Sequence, residues 1–130
     1  AEVRKKLTEA GFRYEGELNV GGSSWISPDG YHIDVLECSE GWFAQAIAEA
    51  QQNRDDQGLP VLPIQYLVFM KFQAGRAQDV ADVTRMLGQA SDERLASVRF
   101  LFEQLLPEEM EDLESLIRLG QLEMLPPQED

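Results

Sequence analysis

The sequence predicts an α+β protein: a small antiparallel sheet of about three strands, packed with about six helices. Three observations carry that expectation. Between Phe12 and Glu37, apolar residues recur at alternate positions and turn-forming residues interrupt them. After Ser39-Glu40-Gly41 the spacing changes to three and four, the period of a helix. From there on, Pro63, Gly75 and Pro107 cut the helical pattern into pieces of ordinary helix length.

In chain order, Glu2 to Ala10 places Val3 and Leu7 four apart among charges, and Gly11 supplies a C-terminal stop, so a short helix is expected. Phe12 to Leu18 alternates Phe12, Tyr14 and Leu18 with polar residues, although Gly16 weakens the period. Asn19 to Ser23, with Gly21-Gly22, is a turn, and Ser24 to Ser27 a second strand. Pro28-Asp29-Gly30 marks a tight turn. Tyr31 to Glu37 returns as a third strand, with Tyr31, Ile33 and Val35 on one face and His32, Asp34 and Leu36 on the other.

The helical part begins with a modest stripe of Phe43, Ile47 and Ala50, followed by a polar loop over 51–58. Pro63 suits a first helical position, because its fixed φ and missing donor cost nothing there. The helix from Pro63 to about Ala74 is apolar nearly all round and must be central. Gly75 breaks it, and a helix over about 77–87 follows, with Val80, Val83 and Leu87 inward. Ser91 to Arg94 opens another, carrying Leu95, Val98, Phe102 and Leu105 on one side. Pro107, followed by two acids that favour a helix N-terminus, begins the last, with Met110, Leu113, Leu116 and Ile117 inward. Residues 121–130, with Pro126-Pro127, are expected to fray.

Composition narrows the function classes. The chain has 130 residues, one domain's worth, with 24 acidic residues against 11 basic and a net charge of −13. That charge repels a phosphate backbone, so general nucleic-acid binding is a poor default. The acid is concentrated late, with 11 Asp and Glu against 3 Arg from Ser91 onward. A single cysteine, Cys38, forbids an intrachain disulfide and fits a reducing cytoplasm. Beside an acidic loop its thiol is expected to be inert. No apolar run approaches the ~20 residues of a membrane helix. Ala1 to Ala10 is a charged amphipathic segment, unlike a signal peptide. The chain opens without Met inside an element already under way, which suggests an upstream segment.

Two sets of residues could carry chemistry. Asp34 lies in mid-strand between Ile33 and Val35, where a carboxylate is disfavoured by strand propensity. It is either a metal-binding or basic carboxylate presented from the sheet, or a solvent-facing residue beside His32. With His32 the only histidine, neither a His-based metal site nor a catalytic triad is expected. The second set is Lys71, Arg76, Asp79 and Asp82. Lys71 sits among Leu67, Val68, Phe69, Met70 and Phe72, and an ammonium rarely enters such surroundings without a partner. It either pairs across the bend with Asp79 or Asp82, or joins Arg76 as a cation pair for phosphates or a carboxylate. Trp25 and Trp42 read as packing aromatics. Gly21-Gly22 lacks the context of a phosphate-binding loop.

The segment Leu62 to Leu87 resembles a signature of the nucleotidyltransferase-fold superfamily, including its toxin–antitoxin and abortive-infection members. The pattern stands here as Leu67, Lys71, Ala74-Gly75-Arg76, Asp79 and Asp82, with Ala10-Gly11-Phe12, a hairpin and Ile33-Asp34-Val35-Leu36 in similar order upstream. The resemblance implies a partial nucleotidyltransferase-like domain over 1–88, an acidic helical extension over 89–125 and a flexible tail over 126–130. It implies that Asp34 is one of the family's metal-binding carboxylates, that Lys71 and Asp79 are catalytic, and that Lys71 and Arg76 meet the nucleotide. The chemistry implied is nucleotide transfer with Mg²⁺ held by carboxylates, which needs more than one such acid. The family's Gly-Ser and Asp-x-Asp motifs are missing from this sequence, so the polypeptide is expected to be truncated or degenerate and to transfer no nucleotide. The alternative is a non-enzymatic module whose acidic C-terminal helices bind a basic partner or a second copy as a homodimer.

Overall fold

A computed structural model, describing residues 2–18, 21–37 and 40–126, shows the expected class. Helix α1 (Glu2–Glu9) precedes three strands, β1 (Arg13–Glu17), β2 (Gly22–Ile26) and β3 (His32–Leu36). Helices α2 (Gly41–Ala50), α3 (Ile64–Ala74), α4 (Ala77–Gln89), α5 (Asp92–Leu105) and α6 (Met110–Glu123) follow, with a 3₁₀ turn over Pro107–Glu109 before α6. Among the described residues, no helix is long and apolar enough to cross a membrane. Cys38 and residues 127–130, most of the expected tail, lie outside the described residues. The chain divides after Phe43 into two compact units, 1–43 and 44–130. Residues 62–87 and the acidic helices after them therefore belong to one unit.

In the first unit the strands are antiparallel in the order β1-β2-β3. The turn at 28–30 sets the hairpin register. Ser27 N donates to Tyr31 O at 2.8 Å, and Tyr31 N donates to Ser27 Oγ at 2.9 Å. Ser24 therefore faces Asp34, and Trp25 faces Ile33. Trp25 is buried, meets the Tyr14 ring edge-on at 5.4 Å and donates from Nε1 to Ser23 Oγ. β2 begins two residues earlier than its sequence suggests, taking in Gly22. A Cβ there would stand 2.0 Å from Val35 O, so only glycine lets the strands approach. On β3, Ile33 and Val35 are half-buried while His32, Asp34 and Leu36 are exposed, as alternation requires. Tyr31 departs from that face: it belongs to the turn and is 71% exposed.

In the second unit α3 is central, as its apolar circumference predicts, and packs against α4 and α5. Phe69 and Phe72 meet Phe102 edge-on at 5.4 and 5.1 Å. Val83 and Leu87 of α4, Leu95 and Val98 of α5, and Leu113 and Ile117 of α6 complete the core. Ser91 caps α5 by accepting from Arg94 N. Two stripes differ from the sequence reading. On α2, Ala46 and Ala50 are buried and Ile47 is exposed, so the buried side of the helix is set by its small residues. On α4, Val80 is 40% exposed and Asp79 is buried instead, its carboxylate paired with the more exposed Lys71 and Arg76. α6 runs on to Glu123, so the expected fraying of residues 121–123 gives way to helix, closed by Met124 N donating to Gly120 O.

Candidate functional site

The four charged residues of 62–87 assemble at the α3–α4 bend. Gly75 makes the bend, with φ +66° in the left-handed region and its N–H donating to Lys71 O. Arg76 then occupies the N-cap of α4 in extended conformation. Asp79, three residues on, reaches back. Its carboxylate accepts from Arg76 Nε at 2.6 Å and from the second guanidinium nitrogen at 3.3 Å, and takes the Arg76 backbone N–H as well. This is the acidic half of a capping box, formed by Asp. Lys71 Nζ approaches from α3, 3.1 Å from Asp82 Oδ2 and 3.9 Å from Asp79 Oδ1.

Burial grades this cluster. The Asp79 side chain is only 5% exposed, whereas Arg76 is 70% exposed. The Arg76 hydrogen bonds, with Lys71 adding a smaller pull, hold the Asp79 carboxyl below its ordinary range against the opposing effect of burial. The arrangement is an ion network that joins α3 to α4 across the bend. Each expected cation already has a carboxylate.

Asp34 lies in the first unit, on the exposed face of β3. Ser24 Oγ donates to Asp34 Oδ1 at 2.9 Å and lies 2.9 Å from His32 Nε2, which is 3.9 Å from Asp34. Ser24 was not singled out from the sequence, although a hairpin centred on 28–30 pairs 24 with 34. The serine proton goes to the carboxylate, not to the imidazole, the reverse of the order a nucleophile–base pair needs. Mg²⁺ calls for oxygen donors in near-octahedral array, usually with carboxylates in pairs. Asp34 supplies one carboxylate, already bonded to Ser24, and no group of three or more His, Cys, Asp or Glu is placed to hold a metal among the described residues. The donor set does not fit the ion.

A further surface lies on α6. Its buried side carries Leu113, Ile117 and Gly120. The opposite side shows Glu111, Asp112 and Ser115, then Arg118, and then Leu119 and Leu122 at 48% and 57% exposure, flanked by Glu123. Met124 and Leu125 extend this apolar end. The orientation of α6 is fixed by Arg99 of α5, which donates to both oxygens of Glu114 at 2.5 and 3.1 Å and holds that carboxyl below its usual range.

Comparison with known proteins finds no matching family model, no matching characterised protein and no matching solved structure. The resemblance to nucleotidyltransferases thus stands on the residues that carry it.

Proposed function

We propose that this is a nucleotidyltransferase-like protein that transfers no nucleotide as this chain and acts by binding a protein partner through its helical unit. The observation that carries this reading is the outward face of α6, acidic at its N-terminal end over Glu111 and Asp112 and, beyond Arg118, apolar at its C-terminal end. Such a face is complementary to an amphipathic helix with Lys or Arg at one end and leucine-like residues at the other. A second copy is a poorer match. A two-fold axis at Leu122 sets Glu123 beside its own copy, and the unit's acidity adds repulsion. The α3–α4 bend supports the non-catalytic part, because Lys71 and Arg76 are already neutralised by Asp79 and Asp82. Mg²⁺ would belong only to an intact active site, and the surroundings of Asp34 do not supply one.

A synthetic Leu/Lys amphipathic helix, titrated into the full chain and followed by amide shifts, tests the surface. Shifts should map to α6, vanish in Leu119→Ser/Leu122→Ser, and be absent with a Leu/Glu helix of the same pattern. Binding that ignores the double substitution, or that the Leu/Glu helix reproduces, would overturn the proposal. Light scattering should give the monomer mass; a dimer dissolved by the same double substitution would replace the basic partner with a second copy.

A further inference from the structure

An open cavity of about 580 Å³ lies in the 44–130 unit, between the segment leading into α3 and side chains of α4 and α5. That is within the range of small-molecule sites, roughly 300–1,000 Å³. Its walls include Leu62, Ile64, Leu67 and Met86, and Arg94 stands beside them. Among the described residues of this unit, Arg85, Arg94 and Arg118 make no side-chain hydrogen bond or ion pair, and of the three only Arg94 lines the cavity. Arg54 is held by the carbonyls of Gln51 and Gly58, Lys71 and Arg76 by Asp79 and Asp82, and Arg99 by Glu114. Among the described residues the Arg94 guanidinium takes no ion pair and no hydrogen bond, in a chain where carboxylates outnumber cations 24 to 11. It is a planar, permanently charged fork next to an apolar wall.

We propose that this cavity binds a small amphiphilic carboxylate, its chain on Leu62, Ile64, Leu67 and Met86 and its head group on Arg94. The chain gains by leaving water, and the head forms the paired charge-assisted bonds that guanidinium geometry favours. Glu49 also lines the cavity, where it accepts the Tyr66 hydroxyl proton. Its negative charge opposes the ligand's, so the two charged wall residues act with opposite sign. An uncharged or cationic ligand of the same length would not reproduce that pattern. The site is separate from the outward face of α6 and does not depend on that reading.

Sodium octanoate is the probe, with octan-1-ol as its uncharged counterpart, each titrated into the full chain and followed by amide shifts. Octanoate should give saturable shifts over residues 61–67 and at Met86 and Arg94. Arg94→Gln should weaken octanoate by roughly tenfold, the value of about one charge-assisted hydrogen bond, and leave octanol unchanged. Arg94→Lys, which keeps the charge and loses the fork, should fall between. Glu49→Gln, which can still accept from Tyr66, should tighten octanoate by about threefold through relief of repulsion. Shifts that never saturate, octanol binding as tightly as octanoate, or Arg94→Gln matching the original chain would each overturn the proposal.

Discussion

Replacing Gly120 by Ala tests how the helical unit is held together. The backbones of α4 and α6 touch where Gly88 meets Gly120. A Cβ on Gly120 would lie 2.2 Å from Thr84 O and 2.8 Å from Gly88 N, whereas ordinary contact begins at 3.4 Å. The obstacles are backbone atoms, which no rotamer change can move aside, so the helices must separate by about 1 Å or tilt. Overpacking of this kind costs about 1–3 kcal/mol, and the rigid obstacle argues for the upper end. Alanine's better helix propensity returns about 1 kcal/mol. The net loss is about 2 kcal/mol, which lowers Tm by roughly 8–16 °C in a unit of this size. Thermal unfolding followed by circular dichroism reads it directly. Gly41→Ala is the control: its Cβ meets nothing within 4 Å, so it should be neutral or slightly stabilising. A Gly120→Ala protein as stable as the original would refute the close-crossing account.

Other perturbations follow from the same structure. Asp79→Ala should cost about 2 kcal/mol, because it removes the bond to the α4 N-cap and leaves two cations without their shared partner. Asp82→Ala, at a more exposed position, should cost only about 0.5 kcal/mol; urea unfolding that ranks them equally would contradict the graded network. Since Asp79 is held below its usual pKa, its contribution is whole above about pH 4 and is lost as pH falls through the lowered value. Tyr66 titrates the other way: burial first, and then the bond to Glu49, push it up to about 12. An unfolded tyrosine ionises near 10, so this stability is whole below about pH 10 and is lost as pH rises through about 12. Tyr66→Phe should flatten the alkaline decline in urea midpoints, and an unchanged slope would count against it.

The parts of the fold that were legible in the sequence rest on strong local signals. Pro28-Asp29-Gly30 announced the hairpin, Gly75 the bend, and the apolar run around Val68 and Phe69 the central helix. Readings failed where packing overrode hydrophobicity. Ala46 outranked Ile47, and Asp79 outranked Val80, because space and ion pairing decide burial alongside apolar area. Gly88 and Gly120 gave no warning, since glycine within a helix reads as a weakness until its backbone is seen against another. At the candidate site, helical spacing across the bend offers the pairing of Lys71 with Asp79 or Asp82 as one of two alternatives, and the structure places Lys71 beside both. Ser24 beside Asp34 required the strand register. Arg94 beside the apolar cavity required tertiary structure, because its wall comes from segments far apart in sequence.

On the proposed reading, Lys71 and Arg76 serve the α3–α4 bend and hold no phosphate. Its most direct test is a titration of the full chain with ATP and Mg²⁺, following the amide shifts of residues 71–82. No saturable change is expected at Lys71, Arg76, Asp79 or Asp82. Saturating shifts there, reversed by EDTA and lost in Lys71→Met, would contradict it and return these residues to a nucleotide site.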